Sequence, residues 1–357
     1  MSQRTLNFSS GPATLPEEVL RNAQTALLDL DGSGIGILEH SHRGKEFGRV
    51  LERTEALIRE VGAIGDDYAV LFVTAGATHH FAMVPQNFLG VGQTADYCDT
   101  GVWSGKAIEE ARRVGAVHVA GTSAPAYAAT PRALTFSPAP RYVHYTSNET
   151  IYGTQWSAPP NAPAPLVCDA SSDIFSRPLA LANHGLVYAG AQKNLGPSGI
   201  SLVIAKKDFI ATGATDLPPL AQYRTYAAEA SMHNTPNTFG IYIIGEVVAW
   251  IRAQGGLAAM AERNERKAKV VYDFLDQSKA WRGHAEPASR SRMNITFRGT
   301  TKELEATMLE RAEARGLSGL KGHRSVGGLR ASIYNAFPEE GVHRLVELLD
   351  EVEHGRA

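Results

Sequence analysis

Lys193 stands between two apolar runs. Leu186-Val187-Tyr188-Ala189 precedes it, and residues 200–205 follow after the loop Gly196-Pro197-Ser198-Gly199. A lysine at the end of a core strand has its stem in low dielectric, which disfavours the ammonium and lowers its pKa. A neutral amine there can attack a carbonyl and form a Schiff base. A loop lysine is ordinarily solvated, but the flanking strands and the glycine-rich loop argue for burial here. Asp169 ends another apolar run, Pro165-Leu166-Val167-Cys168. An aspartate in that place either caps a helix or faces a ligand. Asp173, inside Ser171-Ser172-Asp173-Ile174, reads as a cap.

Acid and amine on neighbouring strand ends suggest pyridoxal 5'-phosphate. A carboxylate beside the pyridine nitrogen keeps it protonated. The ring then accepts the electron pair released when an amino acid loses its α proton. Thr74-Ala75-Gly76-Ala77-Thr78 follows a strand and precedes a helical stretch. Small residues there let backbone amides approach a phosphate. Trp103, just past a strand, either stacks on a flat cofactor or fills the core. His42-Arg43 and His323-Arg324 are basic clusters in glycine-rich settings, and Arg330 follows the second. Arginine grips carboxylate or phosphate through paired hydrogen bonds; solvation is the ordinary alternative. Gly32-Ser33-Gly34-Ile35-Gly36 follows a helix rather than a strand, which removes it as a dinucleotide site. No histidine pair has zinc-ligand spacing, so no metal is expected.

The elements that must position these residues form an α/β pattern. Short apolar runs at 69–73, 94–98, 116–120, 141–145, 165–168, 186–189 and 200–204 read as strands covered on both faces. Seven such runs alternating with helices predict a mostly parallel sheet between helical layers, with ligands at the strand carboxyl ends. Pro16 opens a helix whose apolar stripe reaches Leu30, and a second runs from 45 to 61. Helices at about 236–254 and 257–275 follow. A strand–helix–strand–helix series then covers 293–297, 302–315, 329–334 and 339–352. The expected division is an N-terminal arm at 1–15, a large domain at 16–256 and a small α+β domain at 257–357, with the arm packing near the small domain.

With 357 residues, 43% hydrophobic and 20% charged, the chain has ample core for two domains. A net charge of −2 demands neither nucleic acid nor an anionic membrane. Cys98 and Cys168 are the two cysteines, both within strand-like runs, so no disulfide framework is expected. No secretory signal is evident in Met1-Ser2-Gln3-Arg4, and the cytoplasm is the expected compartment.

Several segments together resemble one family, the phosphoserine aminotransferases, which are class V, fold-type-I pyridoxal-phosphate enzymes. They are Asn7-Phe8-Ser9-Ser10-Gly11-Pro12, SHRGKEF at 41–47, NETIYG at 148–153, YAGAQKNLGPSG at 188–199, RSRMN at 290–294 and LKGHRSVGGLRASIYNA at 320–336. The resemblance implies that Lys193 forms the Schiff base, Asp169 partners the ring nitrogen and Trp103 stacks on the ring. It implies that Thr150 meets the ring hydroxyl region and Gln192 the cofactor phosphate, with Gly76, Ala77 and Thr78 in the phosphate-side turn. Asn234 and Thr235 would reach the cofactor phosphate of a second subunit, which implies a homodimer with shared sites and one cofactor per subunit. Ser10, His42, Arg43, His323, Arg324 and Arg330 match substrate-side positions. By the same analogy Arg330 holds the α-carboxylate, and the His-Arg pairs hold a distal phosphate or carboxylate. Where the family often carries arginine, this chain has Thr78; the four His-Arg residues are expected to suffice.

The implied reaction exchanges an amino group between L-glutamate and 3-phosphohydroxypyruvate, giving 2-oxoglutarate and O-phospho-L-serine. That is a step of serine biosynthesis. Phosphorylated hydroxythreonine, for pyridoxine biosynthesis, is a further candidate substrate. Another class V enzyme, such as an alanine–glyoxylate aminotransferase, is the near rival. A cysteine desulfurase needs a mobile cysteine near the site, and none follows Cys168. A non-catalytic α/β ligand-binding protein is the rival from a different class.

Overall fold

In the computed structural model, which describes residues 4–356, the seven expected strands pair into one sheet. The chain begins with β1 (Leu6–Asn7), α1 (Glu17–Ala26), α2 (Lys45–Gly62) and β2 (Tyr68–Val73). It continues with α3 (Ala77–Phe88), β3 (Thr94–Asp99), α4 (Val102–Arg112), β4 (Ala116–Thr122) and β5 (Pro140–Thr146). A short hairpin, β6 (Asn148–Glu149) and β7 (Thr154–Gln155), precedes β8 (Leu166–Asp169), β9 (His184–Gly190) and β10 (Ser201–Lys206). Helices α5 (Lys207–Ala211), α6 (Tyr223–Ala228), α7 (Thr238–Ala253) and α8 (Gly256–Gln277) come next. The chain closes with β11 (Trp281–Gly283), β12 (Asn294–Gly299), α9 (Lys302–Ala314), β13 (Leu317–Ser318), β14 (Leu329–Ser332) and α10 (Glu339–Glu353).

The large sheet has the order β2-β10-β9-β8-β5-β3-β4. Its strands from β9 to β4 run parallel, and β10 is antiparallel to both of its neighbours. Alternation along β10 explains why it reads as one apolar run: Leu202 and Ile204 face one core and Val203 the other. The first core takes Leu51 and Ile58 of α2 and Ile244 and Val248 of α7. The second takes Phe81 and Val84 of α3 and Ile108 of α4. A sheet covered on both faces leaves its strand ends as the place where polar side chains converge.

A third core lies under the antiparallel sheet β11-β12-β14, packed by α8, α9 and α10. Helix α8 serves two cores, with Leu257 and Met260 in the first and Val271 and Leu275 in the third. The N-terminal segment pairs with this region: Leu6 and Asn7 lie opposite Leu317 and Ser318, and Phe8 sits 4.4 Å from the Phe337 ring. Among the described residues no helix is long and apolar enough to cross a membrane.

One feature differs from expectation. Helix α1 ends at Ala26 rather than near Leu30, because the chain reverses through Asp31, Gly32 and Gly34, all at positive φ. Ile37 then donates its N–H to the Ala26 carbonyl at 2.8 Å. Helix α4 falls where the alternation predicts a helix but where the sequence pattern gives it no range. Its start is held by Ser104, whose hydroxyl oxygen accepts from the Thr100 and Gly101 N–H groups at 2.9 and 3.0 Å. Trp103 therefore sits on the first turn of a helix, just past β3.

Candidate active site

The ends of β8 and β9 bring Asp169 and Lys193 into one cavity of about 400 Å³. Ser10, Gly76, Ala77, Thr78, Trp103, Thr150, Gln192, His323 and Arg330 line the same cavity. His42, Arg43, Arg324, Asn234 and Thr235 do not line it. His42 is half-buried ahead of α2, and the other four are exposed.

Asp169 is the last residue of β8, in register with Thr146 and Tyr188. Its Oδ1 accepts from the Ser171 N–H at 3.0 Å and the Ser171 hydroxyl at 2.6 Å. Ser171 Oγ in turn accepts from Gly190 N–H at 3.0 Å, tying the carboxylate to the end of β9. Burial raises the Asp169 pKa; the Ser171 hydrogen bonds and the Lys193 charge oppose that rise.

Lys193 sits in the turn between β9 and β10. Leu195 and Gly196 N–H groups close that turn on the Ala191 carbonyl at 3.0 and 2.8 Å. Asn194 locks it from outside, donating to the Ile174 carbonyl at 3.2 Å and accepting from Asn335 N–H at 3.1 Å. Among the described residues the Lys193 amine has no hydrogen bond and no ion pair. Burial lowers its pKa, against the opposing charges of Asp169 and Glu149. Its Nζ lies 5.6 Å from the Trp103 ring centroid.

Trp103 is fixed at two points. Its indole Nε1–H donates to Thr150 Oγ1 at 2.9 Å, and its backbone N–H donates to Glu149 Oε2 at 3.2 Å. Thr150 also meets the small sheet, because Arg330 Nη1 donates to its carbonyl at 3.2 Å. Arg330 Nη2 donates to Ser10 Oγ at 2.8 Å, and Tyr334 holds the Ser10 carbonyl at 2.8 Å. No carboxylate pairs with Arg330 among the described residues. Burial lowers its pKa, and an incoming anion would relieve that cost. His323 is pushed down by burial and by the cations Arg330, Arg324 and Lys106, so this rim is electropositive.

Gly76 caps α3, placing Ala77 and Thr78 on the helix's first turn, where backbone N–H groups lack helical partners. Gly190 packs so close that a Cβ there would lie 3.3 Å from Ala77 N. His79 and His80 diverge: His79 is exposed, and His80 is buried between the Tyr223 hydroxyl (2.8 Å) and Ser201 Oγ (2.6 Å).

Three residues of the site escape a reading of the sequence. Ser171 holds Asp169. Asn148 donates to Ser172 Oγ and to Asn294 Oδ1, both at 2.8 Å, joining the two sheets. Glu149 lies under Trp103. Asp173, expected as a helix cap, is instead a buried acceptor for Ser147 and for Gln155, the latter at 3.0 Å, with Arg177 at 3.5 Å.

A parallel sheet with a buried amine and acid at its strand ends, beside a helix N-terminus, is the arrangement of a fold-type-I transferase. The family model "Aminotransferase class-V" matches residues 5–345, and the chain belongs to that family. It is 51% identical to the phosphoserine aminotransferase of Herpetosiphon aurantiacus over 348 residues, 96% of this chain and 97% of that one. The structure of the phosphoserine aminotransferase from Bacillus circulans subsp. alkalophilus matches with TM-score 0.97 and 46% identity, covering 100% of both chains. That of the PLP-bound phosphoserine aminotransferase from Trichomonas vaginalis matches with TM-score 0.94 and 36% identity, over 98% of this chain and 100% of that one.

Proposed function

We propose that this chain is a pyridoxal-phosphate-dependent phosphoserine aminotransferase. One observation carries the reading: a single cavity gathers a largely buried amine and an arginine, neither of them paired with a carboxylate among the described residues, with a buried carboxylate, an indole and a helix N-terminus. Those groups fit the cofactor by chemistry. Lys193 would hold its aldehyde carbon, Asp169 its ring nitrogen, Trp103 its ring face and the start of α3 its phosphate. The bound cofactor supplies an electron sink for the α carbon of an amino acid.

The chain's own residues do the rest. Arg330 takes the α-carboxylate of the substrate, and Ser10 orients the guanidinium. The Lys193 amine, whose protonated form burial disfavours, would take the proton from the α carbon and later give one back, acting as base and then as acid. His323, which lines the cavity, meets the distal phosphate of phosphoserine or the distal carboxylate of glutamate. Covalent exchange of this kind predicts ping-pong kinetics. Purified enzyme loaded with pyridoxal phosphate is expected to change its visible spectrum with phosphoserine and with glutamate, but not with alanine. A response to alanine equal to that with phosphoserine would contradict the substrate assignment.

The proposed form is a homodimer. Asn234 and Thr235 are exposed and lie off the cavity, as expected of residues that serve a second copy's site. Leu28 and Leu38, exposed on the segment before His42, support a covered surface there. Dilution through the dimer–monomer transition is expected to abolish turnover; a monomer with full turnover would contradict the shared site. We also propose the division at 256/257, supported by the separate third core.

A further inference from the structure

Glu149, the last residue of β6, is a buried carboxylate, 1% exposed. It takes part in no ion pair among the described residues. Its Oε2 accepts the Trp103 N–H at 3.2 Å and its Oε1 the Ile151 N–H at 3.1 Å. The space for it is made by Gly101, whose φ is +149° and where a Cβ would lie 2.7 Å from Oε2. An uncompensated charge in such a place is costly unless hydrogen bonds and nearby cations hold it. The cations nearby are Lys193, from the β9–β10 turn, and Arg330, from β14. Facing them are Asp169 at the end of β8 and the phenols of Tyr127 and Tyr152.

We propose that Glu149 is a positioning residue of the transamination reaction, fastening the first turn of α4 so that the Trp103 indole lies flat against the cofactor ring. The inference rests on the cofactor assignment above. The geometry is a clamp built from two consecutive residues. Glu149 holds the backbone of Trp103, and Thr150 holds its indole nitrogen. The Thr150 carbonyl also receives Arg330, so a shift of this segment moves the ring-stacking group and the carboxylate-binding group together. Ionised, Glu149 presents acceptors at both oxygens and no donor; protonated, one oxygen becomes a donor and a weaker acceptor. Burial raises its pKa to about 7. Below that pH one oxygen carries a proton, and the hydrogen bond that its N–H partner makes to it weakens.

The test uses the holoenzyme of wild type and of Glu149→Gln, followed by circular dichroism of the cofactor's visible band, by kcat and KM, and by thermal melting. The glutamine keeps the size but presents an amide N–H₂ to one backbone donor. The expected result for the variant is a changed cofactor dichroism and a kcat/KM lowered on the order of tenfold or more, as for a misplaced reacting group. Wild type is expected to show a dichroism transition near pH 7 that Glu149→Gln lacks. A variant whose dichroism and kcat/KM match wild type, with only its melting temperature lowered, would overturn the proposal. If the variant does not fold, a wild-type dichroism flat from pH 6 to 8 overturns it equally. A wild-type protein that binds no pyridoxal phosphate would instead overturn the functional reading beneath it.

Discussion

Replacing Lys193 with alanine is expected to lower turnover by about 10⁴-fold or more, the upper range of what one positioned acid–base group supplies. The loss follows from the two tasks assigned to one nitrogen, which must bond the cofactor and carry the α proton. No other amine takes its place. Lys106 lies over Trp103, its Nζ 4.8 Å from the ring centroid, but is exposed on α4, and Lys206 at the end of β10 and Lys207 at the start of α5 are exposed. The fold should survive. The amine donates no hydrogen bond among the described residues, and burying it opposes folding, as its lowered pKa records. The melting temperature of Lys193→Ala should therefore stay close to that of wild type. Lys193→Arg should be as inactive, because a guanidinium does not deprotonate. Turnover of Lys193→Ala within tenfold of wild type would remove the residue from the chemistry.

Asp169→Asn is expected to lower kcat on the order of 10²-fold or more, comparable to removing one preorganised electrostatic contact. The asparagine keeps an oxygen for the Ser171 N–H and hydroxyl, so the end of β8 stays in place. What is lost is the negative charge opposite the ring nitrogen. In the absence of a ligand that charge is disfavoured by burial, and Ser171 and Lys193 sustain it. A cationic ring would sustain it further. Single-turnover conversion with glutamate checks this: slow chemistry with cofactor still bound is expected, and a rate within threefold of wild type would contradict it.

Much of this arrangement is legible in the sequence because burial on both faces leaves a plain mark. The seven apolar runs became seven strands of one sheet. Lys193 and Asp169 stood out for the same reason, as polar residues closing such runs. What was hidden depends on partners distant in the chain. Glu149 meets Trp103 across 46 residues, and Asp173 meets Ser147 across 26. No local pattern signals either contact. The range of helix α4 is not legible because Gly101 and Gly105 dilute its helical signal, while its cap, Ser104, lies inside the helix rather than ahead of it. The Thr78 departure keeps its interest, since the side chain lines the cavity without adding a charge.

Borohydride reduction of the holoenzyme, followed by peptide mass mapping, tests the central claim most directly. Reduction makes a Schiff base permanent. One pyridoxyl-phosphate adduct per chain is expected, on the peptide containing Lys193, with loss of the visible absorbance. An adduct on another lysine, or none on a protein loaded with the cofactor, would contradict it.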